Sequence, residues 1–397
     1  MAGCQGRAER ARLALDLCAA PGFLESIGVT RVGDLTGLDT VGLPVWFAVR
    51  PNSRTVAVSQ GKGLTHEQAR ISAVMEAAES AAAEAPERLI ADYCSLTELV
   101  ATGRMPVPLD RMSCCMFGAF DPDRERAWVA GRSWRTGLPV YAPYELVGLD
   151  MRVDAPWDRD CFRISSIGLG AAMDWRSAAL HALLELVEND GIAPLETFGV
   201  LEAAGHPLRH EAGHHAGLDE AVDKLGRAGI RPVFHDLSGR VDVPVVGCFI
   251  PRNVADGSGP GTRYSAGFAC RFNAHEAALA ALLEAVQSRG THISGARDDI
   301  DARDYLSSAR AIALPGPDAP GIAELEASFD DEEPGLDRLA EKVGRAVGQD
   351  VYIFPLSEEA EPIQVVRVLV PDLRAVFEDG MVVADADLIG RFLDAGR

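Results

Sequence analysis

The chain has 397 residues, of which 47% are hydrophobic and 24% are charged, and it carries a formal net charge of −21. Such a chain can bury a substantial core in two or three domains of average size, or in one large α/β domain. The acidic excess argues against binding to nucleic acid and to an anionic membrane surface, and no apolar run is long enough to span a bilayer.

The cysteines and the first residues bear on the location of the protein. The eight cysteines are scattered and none forms C-x-x-C, which favours free thiols over a disulfide framework. The start of the chain lacks the charged and apolar regions of a secretory signal. We therefore expect a cytoplasmic protein.

The first part of the chain predicts a helix followed by several short strands. Residues 6–20 predict a short helix, and we take residues 1–29 as an N-terminal helical extension. The β-like runs of residues 30–63 end in the tripeptide GKG, with Lys62 at its centre. Glycine lets the backbone approach a ligand closely, and a lysine there could meet a phosphate. The chain contains no G-x-x-x-x-G-K-[ST], so this is not a P-loop.

Three alanine-rich helices are predicted, and each follows a β-like run with glycines. The middle one lies in the stretch of residues 163–191, and its apolar residues from Ala178 to Val187 leave no solvent face, which is typical of a buried helix. Each helix nevertheless carries E-x-x-E or E-x-x-Q, whose two polar residues lie on one helix face. The polar residues are Ser72, Glu76 and Glu79 in the first helix, Glu185 and Glu188 in the second, and Glu284, Gln287 and Arg289 in the third.

These glutamates predict a site for divalent cations. A carboxylate buried among apolar groups costs free energy unless a cation meets it. Solvated surface glutamates are the alternative, but three repeats of one construction disfavour it. Glutamate oxygens around Mg²⁺, with a polyphosphate as the remaining ligand, are the simplest chemistry that fits the pattern.

The remaining segments predict an α/β (α+β) fold with mixed sheets. Between the first two alanine-rich helices lie short strands, with Trp128 and Trp134 as packing residues. Further on we expect a loop over residues 200–217, a helix over residues 218–228 and two strands before the third alanine-rich helix. A helix and two strands are expected near the end of the chain. Residues 313–322 form a weak proline- and glycine-rich linker within one large domain of residues 30–397.

One motif indicates a different chemistry. His210, Glu211 and His214 match H-E-x-x-H, the pattern of zinc peptidases. That motif needs a firm helix to bring both histidines to one face, and here Gly213 lies inside it and Pro207 just before it. A solvated loop that leads into a helix at residue 218 is the competing interpretation.

Three segments together resemble the YcaO family of ATP-dependent enzymes that modify peptide backbones. They are GKGLTHEQARISAVMEAAES, SSIGLGAAMDWRSAALHALLELVEND and ALLEAVQSRGTHISGARDDI. Weaker similarity extends the resemblance over about residues 30–375. It implies a large α/β domain that binds ATP and Mg²⁺ without a P-loop, and that activates backbone amides to give an azoline, a thioamide or an amidine.

Carried over residue by residue, the resemblance implies two groups of site residues. Magnesium would be coordinated by Glu76, Glu79, Glu185 and Glu188, and the nucleotide site would be lined by Lys62, Ser72, Glu284, Gln287 and Arg289. Other positions depart from the family pattern, because Ser80 and Asn189 replace arginines, Ile167 replaces an asparagine, and Met173 and Ser177 stand where an asparagine and a glutamate are frequent. No catalytic residue is assigned.

The end of the chain favours one branch of the family. Azoline-forming members usually end in a proline-rich tail and use a peptide-recognition domain, whereas this chain ends in RFLDAGR. It looks more like the stand-alone members that make thioamides with a TfuA-like partner. We therefore expect a peptide or protein substrate, with an azoline-forming cyclodehydratase and a non-catalytic binding module as alternatives. The alanine-rich helices also offer surfaces for a homodimer.

Overall fold

The computed structural model describes residues 12–198, 206–252, 263–295, 297, 312–328, 335–377, 382 and 385–395. The strands are β1 Arg31–Asp34, β2 Val45–Val49, β3 Val58–Lys62, β4 Ile90–Cys94, β5 Arg126–Ser133, β6 Pro139–Pro143, β7 Leu169–Ala172, β8 His206–Leu208, β9 Val233–Asp236, β10 Val245–Pro251, β11 Tyr264–Cys270, β12 Tyr352–Pro355 and β13 Gln364–Leu369.

The helices alternate with these strands along the chain. They are α1 (residues 12–19), α2 Pro21–Ser26, α3 His66–Ala83, α4 Pro86–Leu89, α5 Leu96–Ala101, α6 Tyr144–Val147, α7 Trp175–Phe198, α8 Ala216–Arg227, α9 Ala274–Ser294, α10 Ile322–Ser328, α11 Leu336–Val347 and α12 Ala386–Ala395. None of the described helices has the length and apolar character that a membrane span requires.

The strands form three sheets. Their orders are β1-β2-β3, β11-β10-β9-β8 and β4-β5-β12-β13-β7, with β6 paired to β5. The α/β class is confirmed, although the pairs between these strands are antiparallel where the sequence led us to expect mixed sheets. Strand β8 also lies within residues 200–217, which we expected to be loop.

The alanine-rich helices α3, α7 and α9 connect the three sheets in a ring. Each follows an edge strand in the chain and packs against it, α3 against β3, α7 against β7 and α9 against β11. Each also packs against the edge strand of the next unit, α3 against β7, α7 against β11 and α9 against β3. Three strand–helix units therefore close on one another, and their edge strands face a common centre.

A glycine in each edge strand allows the close approach of strand and helix. A Cβ atom at Gly61, Gly170 or Gly267 would lie less than 3.0 Å from helix backbone atoms. The helix residues that meet these glycines are Ala69 and Ala73 in α3, Ala178 and Ala182 in α7, and Ala281 and Ala285 in α9. The alanines are buried inside the chain, so their small size serves these internal contacts.

The glycine contacts generate a stability prediction. We expect Gly267→Ala to lower the free energy of unfolding by about 1–3 kcal/mol, because the new methyl group would overlap the backbone of Ala281 and Ala285. Gly226→Ala is the control, since Gly226 is exposed on α8 with no atom within 4 Å of the added Cβ. The control should be neutral or stabilising by up to about 1 kcal/mol. Urea unfolding of both variants measures the difference, and equal stabilities would contradict the close-contact argument.

Candidate functional site

Five glutamates from the three alanine-rich helices meet at the centre of the ring. They are Glu76 and Glu79 from α3, Glu185 and Glu188 from α7, and Glu284 from α9. All five are partly buried, and each of the first four interacts electrostatically with at least one of the others. The sequence-predicted carboxylates are therefore brought together.

Backbone N–H groups at the strand edges hold four of these carboxylates. The N–H of Gly168, just before β7, donates to Glu185 at 3.1 Å, and the N–H of Cys270 in β11 donates to Glu188 at 3.3 Å. Glu76 is hydrogen-bonded to the backbone of Gln60 in β3, and Glu79 to that of Ala171 in β7. The N–H groups that an edge strand leaves unpaired thus fix the carboxylates.

Burial and mutual repulsion disfavour the charged state of the carboxylates. Desolvation, followed by repulsion from Glu185 and Glu76, raises the pKa of Glu79 to about 8. Desolvation raises the pKa of Glu185 to about 7 although the Gly168 N–H and Arg367 oppose it. The pKa of Glu188 is raised in the same way by desolvation, Glu284 and Glu185. A dense group of carboxyls with raised pKa values is what a site for cations looks like before the cations bind.

Lys62 supplies one positive charge to the site. Its ammonium lies 2.7 Å from the Glu284 carboxylate. Burial alone would lower the pKa of Lys62, but Glu284, Glu76 and Glu188 raise it above its ordinary value. The lysine at the end of β3 therefore stays charged and neutralises part of the carboxylate group.

Arg367, in β13, is a site residue that the sequence did not reveal. Its side chain is 1% exposed, and it donates to the carbonyls of Val147, Ile167 and Ser165 at 3.0, 2.6 and 2.7 Å. Desolvation lowers its pKa to about 10, although Glu185 and Glu79 act in the opposite direction. Arg367 thus fixes the loop before β7 and places a charge behind two of the glutamates.

Two further arginines were also missed. Arg271 directly follows β11 and lowers the pKa of Glu188, and Arg297 lowers the pKa of Glu76. A weak sequence signal existed for Arg271, because it is a basic residue directly after a glycine-containing strand, whereas Lys62 is the last residue of β3. Arg297 and Arg367 lie in no recurring pattern.

Residues 60–374 match the family model of the YcaO cyclodehydratases, which is described as ATP- and Mg²⁺-binding. The chain belongs to the YcaO family. The family resemblance seen in the sequence is confirmed, and ATP and Mg²⁺, the cofactors it implied, are those of the family.

Individual YcaO relatives agree with this assignment. The chain is 32% identical over 390 residues to an uncharacterized protein in the tfuA 3' region of Rhizobium leguminosarum bv. trifolii, over 94% of this chain and 87% of the relative. It is 25% identical to YcaO from Methanopyrus kandleri, solved bound with AMPPCP and Mg²⁺, with a TM-score of 0.66 over 91% of both chains. A heterocyclase solved with substrate and cofactor shares the fold, with a TM-score of 0.73 at 16% identity over 93% of this chain and 52% of that one.

The YcaO site residues named from the resemblance differ in their surroundings. Ser72 and Gln287 are half-buried on α3 and α9. Arg289 does not join the carboxylate group. It donates to Asp39 at 2.8 and 3.1 Å and to the carbonyls of Pro251 and Arg252, so in this structure it connects α9 to two loops.

The residues at the positions that depart from the YcaO pattern each make a contact within the chain. Asn189 donates to the carbonyl of Glu185 at 3.1 Å, one turn back along α7. The carbonyl of Ile167 accepts from Arg367, and Ser177 hydrogen-bonds Asp174 at the start of α7. Met173 packs against the hydrophobic core, and the carbonyl of Ser80 accepts from the Glu84 N–H at 3.0 Å.

The H-E-x-x-H segment does not form the helix that a zinc site requires. His210, Glu211 and His214 lie in a loop, and α8 begins only at Ala216. His210 binds Asp219 at 2.9 Å, whereas the His214 ring stacks on His275. The two histidines thus face different partners, as the loop interpretation predicts.

The donor set at the ring centre fits Mg²⁺ better than it fits softer metals, because it consists of carboxylate oxygens. Within the described ranges, no three His, Cys, Asp or Glu side chains already surround one metal position. Magnesium held by these glutamates, with further ligand atoms from a bound nucleotide, stays a prediction of the sequence.

The raised pKa values predict how stability depends on pH. The folded pKa values of Glu79 and Glu185, about 8 and about 7, exceed the ordinary value of 4.5, so the folded protein binds more protons than the unfolded chain between those limits. Stability without ligand should be greatest at the acidic end of this window and should fall as pH rises through 7 and 8, by at most about 1.4 kcal/mol per pH unit for each carboxyl.

Urea unfolding between about pH 5 and pH 8.5 measures this slope. Glu79→Gln should flatten it, whereas Glu67→Gln, an exposed change in the first turn of the same helix, should leave it unchanged. A slope that survives in Glu79→Gln would show that other groups cause it.

Proposed function

We propose that this YcaO protein uses ATP and Mg²⁺ to activate a backbone amide in a ribosomally made peptide or in a protein, and that sulfur then replaces the amide oxygen with the help of a TfuA-like partner. The observation that carries the ATP chemistry is the convergence of five glutamates and Lys62 at the meeting point of three sheet edges. Support for sulfur comes from the relative in the tfuA 3' region.

On this proposal the chain's residues divide into two groups. The four glutamates of α3 and α7 coordinate Mg²⁺, and they are Glu76, Glu79, Glu185 and Glu188. Lys62, Ser72, Glu284 and Gln287 line the nucleotide. Arg289 supports α9 through Asp39, because its guanidinium is already engaged there.

When bound, ATP with Mg²⁺ supplies the phosphoryl group that makes the amide oxygen a leaving group. The chain supplies positioning and charge. The strand-edge N–H groups fix the carboxylates before any ligand arrives, and Lys62, Arg271 and Arg297 provide positive charge around them. A preorganised site of this kind stabilises charge without reorganising during the reaction.

We also propose that the reaction takes place in the cytoplasm. The seven cysteines in the described part of the chain are free thiols, as a reducing compartment would keep them.

The azoline-forming reaction is the second candidate. Heterocyclases of known structure share the fold, but at these identities the likeness extends only to the fold. The non-catalytic module is a third candidate and rests on the departures at Ser80, Asn189, Met173 and Ser177. The carboxylates on α3 and α7 favour turnover, since a protein that only binds peptide has no need of a group so costly to bury.

Removal of one carboxylate tests the nucleotide site. We expect Glu188→Gln to weaken magnesium-dependent ATP binding at least about 10-fold, because a metal ligand is lost. Glu276→Gln is the control, since Glu276 is exposed in the first turn of α9. Calorimetric titration of ATP with and without Mg²⁺ gives both affinities. If the wild type does not bind, with or without a TfuA-like partner, the binding module becomes the better hypothesis.

The mass of the product distinguishes the two reactions. Thioamide formation adds the mass difference between sulfur and oxygen, whereas azoline formation removes one water. Peptides from the host cell and from a strain that lacks this gene can be compared by high-resolution mass spectrometry. We expect a sulfur-for-oxygen exchange that disappears in the deletion strain and returns with the wild-type gene, but not with the Glu188→Gln gene. A loss of water in its place would support the cyclodehydratase.

A further inference from the structure

The ring of three strand–helix units contains a position that neither the motifs nor the proposed function has used. Ala73, Ala182 and Ala285 meet the strand glycines in the three units. The residues immediately before them are Ser72, His181 and Glu284. Ser72 and Glu284 belong to the proposed nucleotide site, and Glu284 binds Lys62. The same register places His181 at the equivalent point of α7, one turn before Glu185.

The equivalence of these units extends beyond this one position. The residue six places after the glycine-contacting alanine is Glu79 in α3, Glu188 in α7 and Thr291 in α9. Each of these side chains bonds a residue of the next edge strand, Glu79 to Ala171, Glu188 to Cys270 and Thr291 to Gln60. The three helices thus present matching positions to the centre, which supports placing His181 there.

A hydrogen bond to β7 fixes the position of the His181 ring. The imidazole is hydrogen-bonded to the backbone of Ala171, the same residue that holds Glu79. Ala171 lies in β7, an edge strand, so its outer N–H and carbonyl face these two side chains where another strand would otherwise pair. A ring N–H can only donate to the carbonyl, which leaves the other ring nitrogen as an acceptor. Part of the residue remains exposed to solvent, although the protein covers much of the ring.

The surroundings of His181 keep the ring neutral. Desolvation by the protein around it and the guanidinium of Arg271 lower its pKa, and they outweigh the hydrogen bond to Ala171 and the charge of Asp174. The charged groups that act on it are Asp174 on its own helix and Arg271 from the loop before α9, and Glu79 of α3 shares its backbone partner Ala171.

We propose that His181 is the proton acceptor for the nucleophile that attacks the amide carbon. In this step the nucleophile is sulfide-level sulfur delivered with the TfuA-like partner. Its S–H bond breaks, and the electron pair of that bond forms the new C–S bond. The proton passes to the free ring nitrogen, the π electrons of the carbonyl move to oxygen, and the exposed imidazolium later returns the proton to water. The proposal rests on the proposed function, and it gives a role to the one imidazole among the three residues, Ser72, His181 and Glu284, that precede the glycine-contacting alanines.

A magnesium ligand is the competing role for His181. Mg²⁺ prefers oxygen donors, and neutral imidazole suits zinc and other transition metals. The oxygen donors needed for Mg²⁺ are already present on α3 and α7. Proton transfer, which needs a neutral and solvent-accessible imidazole, fits the position better.

The test begins with two measurements that require no peptide. Calorimetry with ATP and Mg²⁺ should give His181→Gln an affinity within about 2-fold of the wild type, and a loss of about 10-fold or more would make His181 a ligand of the nucleotide or metal and overturn the proposal. Long-range ¹H–¹⁵N NMR of the full chain should show a ring that stays neutral at pH 7 with one protonated nitrogen. An imidazolium at pH 7 would also overturn it.

The third measurement follows turnover. The substrate is the unmodified synthetic form of the peptide that the mass comparison identifies, and phosphate release is measured against pH. His181→Gln should lower kcat about 10²–10⁴-fold with little change in KM and should lose the acidic limb of the pH profile, and added imidazole should restore part of the rate. An unchanged kcat in His181→Gln would contradict the proposal.

His206→Gln is the matched control, because His206 is an exposed histidine in β8, and it should behave as the wild type.

The proposed function and the role of His181 are contradicted by different results. A wild type that binds no ATP contradicts the proposed function, whereas a wild type that turns over beside an equally active His181→Gln contradicts only the role of His181.

Discussion

The structure depends on holding five carboxylates in one half-buried space. Each glutamate brought there by α3, α7 or α9 loses hydration and repels the others, so the arrangement is costly without compensation. Part of the compensation comes from the backbone, since N–H groups at the edges of the three sheets point inward and are met by carboxylates. A free sheet edge is ordinarily a liability because it invites pairing with another strand. In this protein the N–H groups at the sheet edges bind the carboxylates of the site instead.

This use of sheet edges explains the small residues around the ring. The strands must lie almost against the helices for an edge N–H to reach a helix carboxylate, and only glycine opposite alanine permits that distance. Gly61, Gly170 and Gly267 are therefore needed for the function of the site as well as for packing. The charged centre and the alanine-rich helices are two consequences of one geometric requirement.

The sequence predicted the parts of this site that repeat and missed the parts that do not. E-x-x-E at helical spacing after a glycine-containing strand predicted the glutamates, and the GKG tripeptide predicted Lys62, which the structure places against Glu284. Arg367 lies some 180 residues beyond Glu185 along the chain, and nothing in its local pattern indicates that it donates to the loop before β7. Arg289 lies on the same helix as Glu284, yet its partner is Asp39, 250 residues earlier in the chain. The long-range partner of a single charged residue leaves no periodic pattern in the sequence, so sequence reasoning could not find it.

The third strand–helix unit carries its carboxylate at a different helix position from the other two units. The two sides of the site therefore differ in charge. In the register set by the strand glycines, Glu76 and Glu185 correspond to Ser288, and Glu79 and Glu188 correspond to Thr291. The carboxylate of α9 lies instead one position before Ala285, where it pairs with Lys62. Negative charge is therefore concentrated between α3 and α7, and the paired lysine lies beside α9. On our proposal the metal ions occupy the first region and the nucleotide extends towards the second, so that one repeated strand–helix unit produces two chemically different halves of a single site.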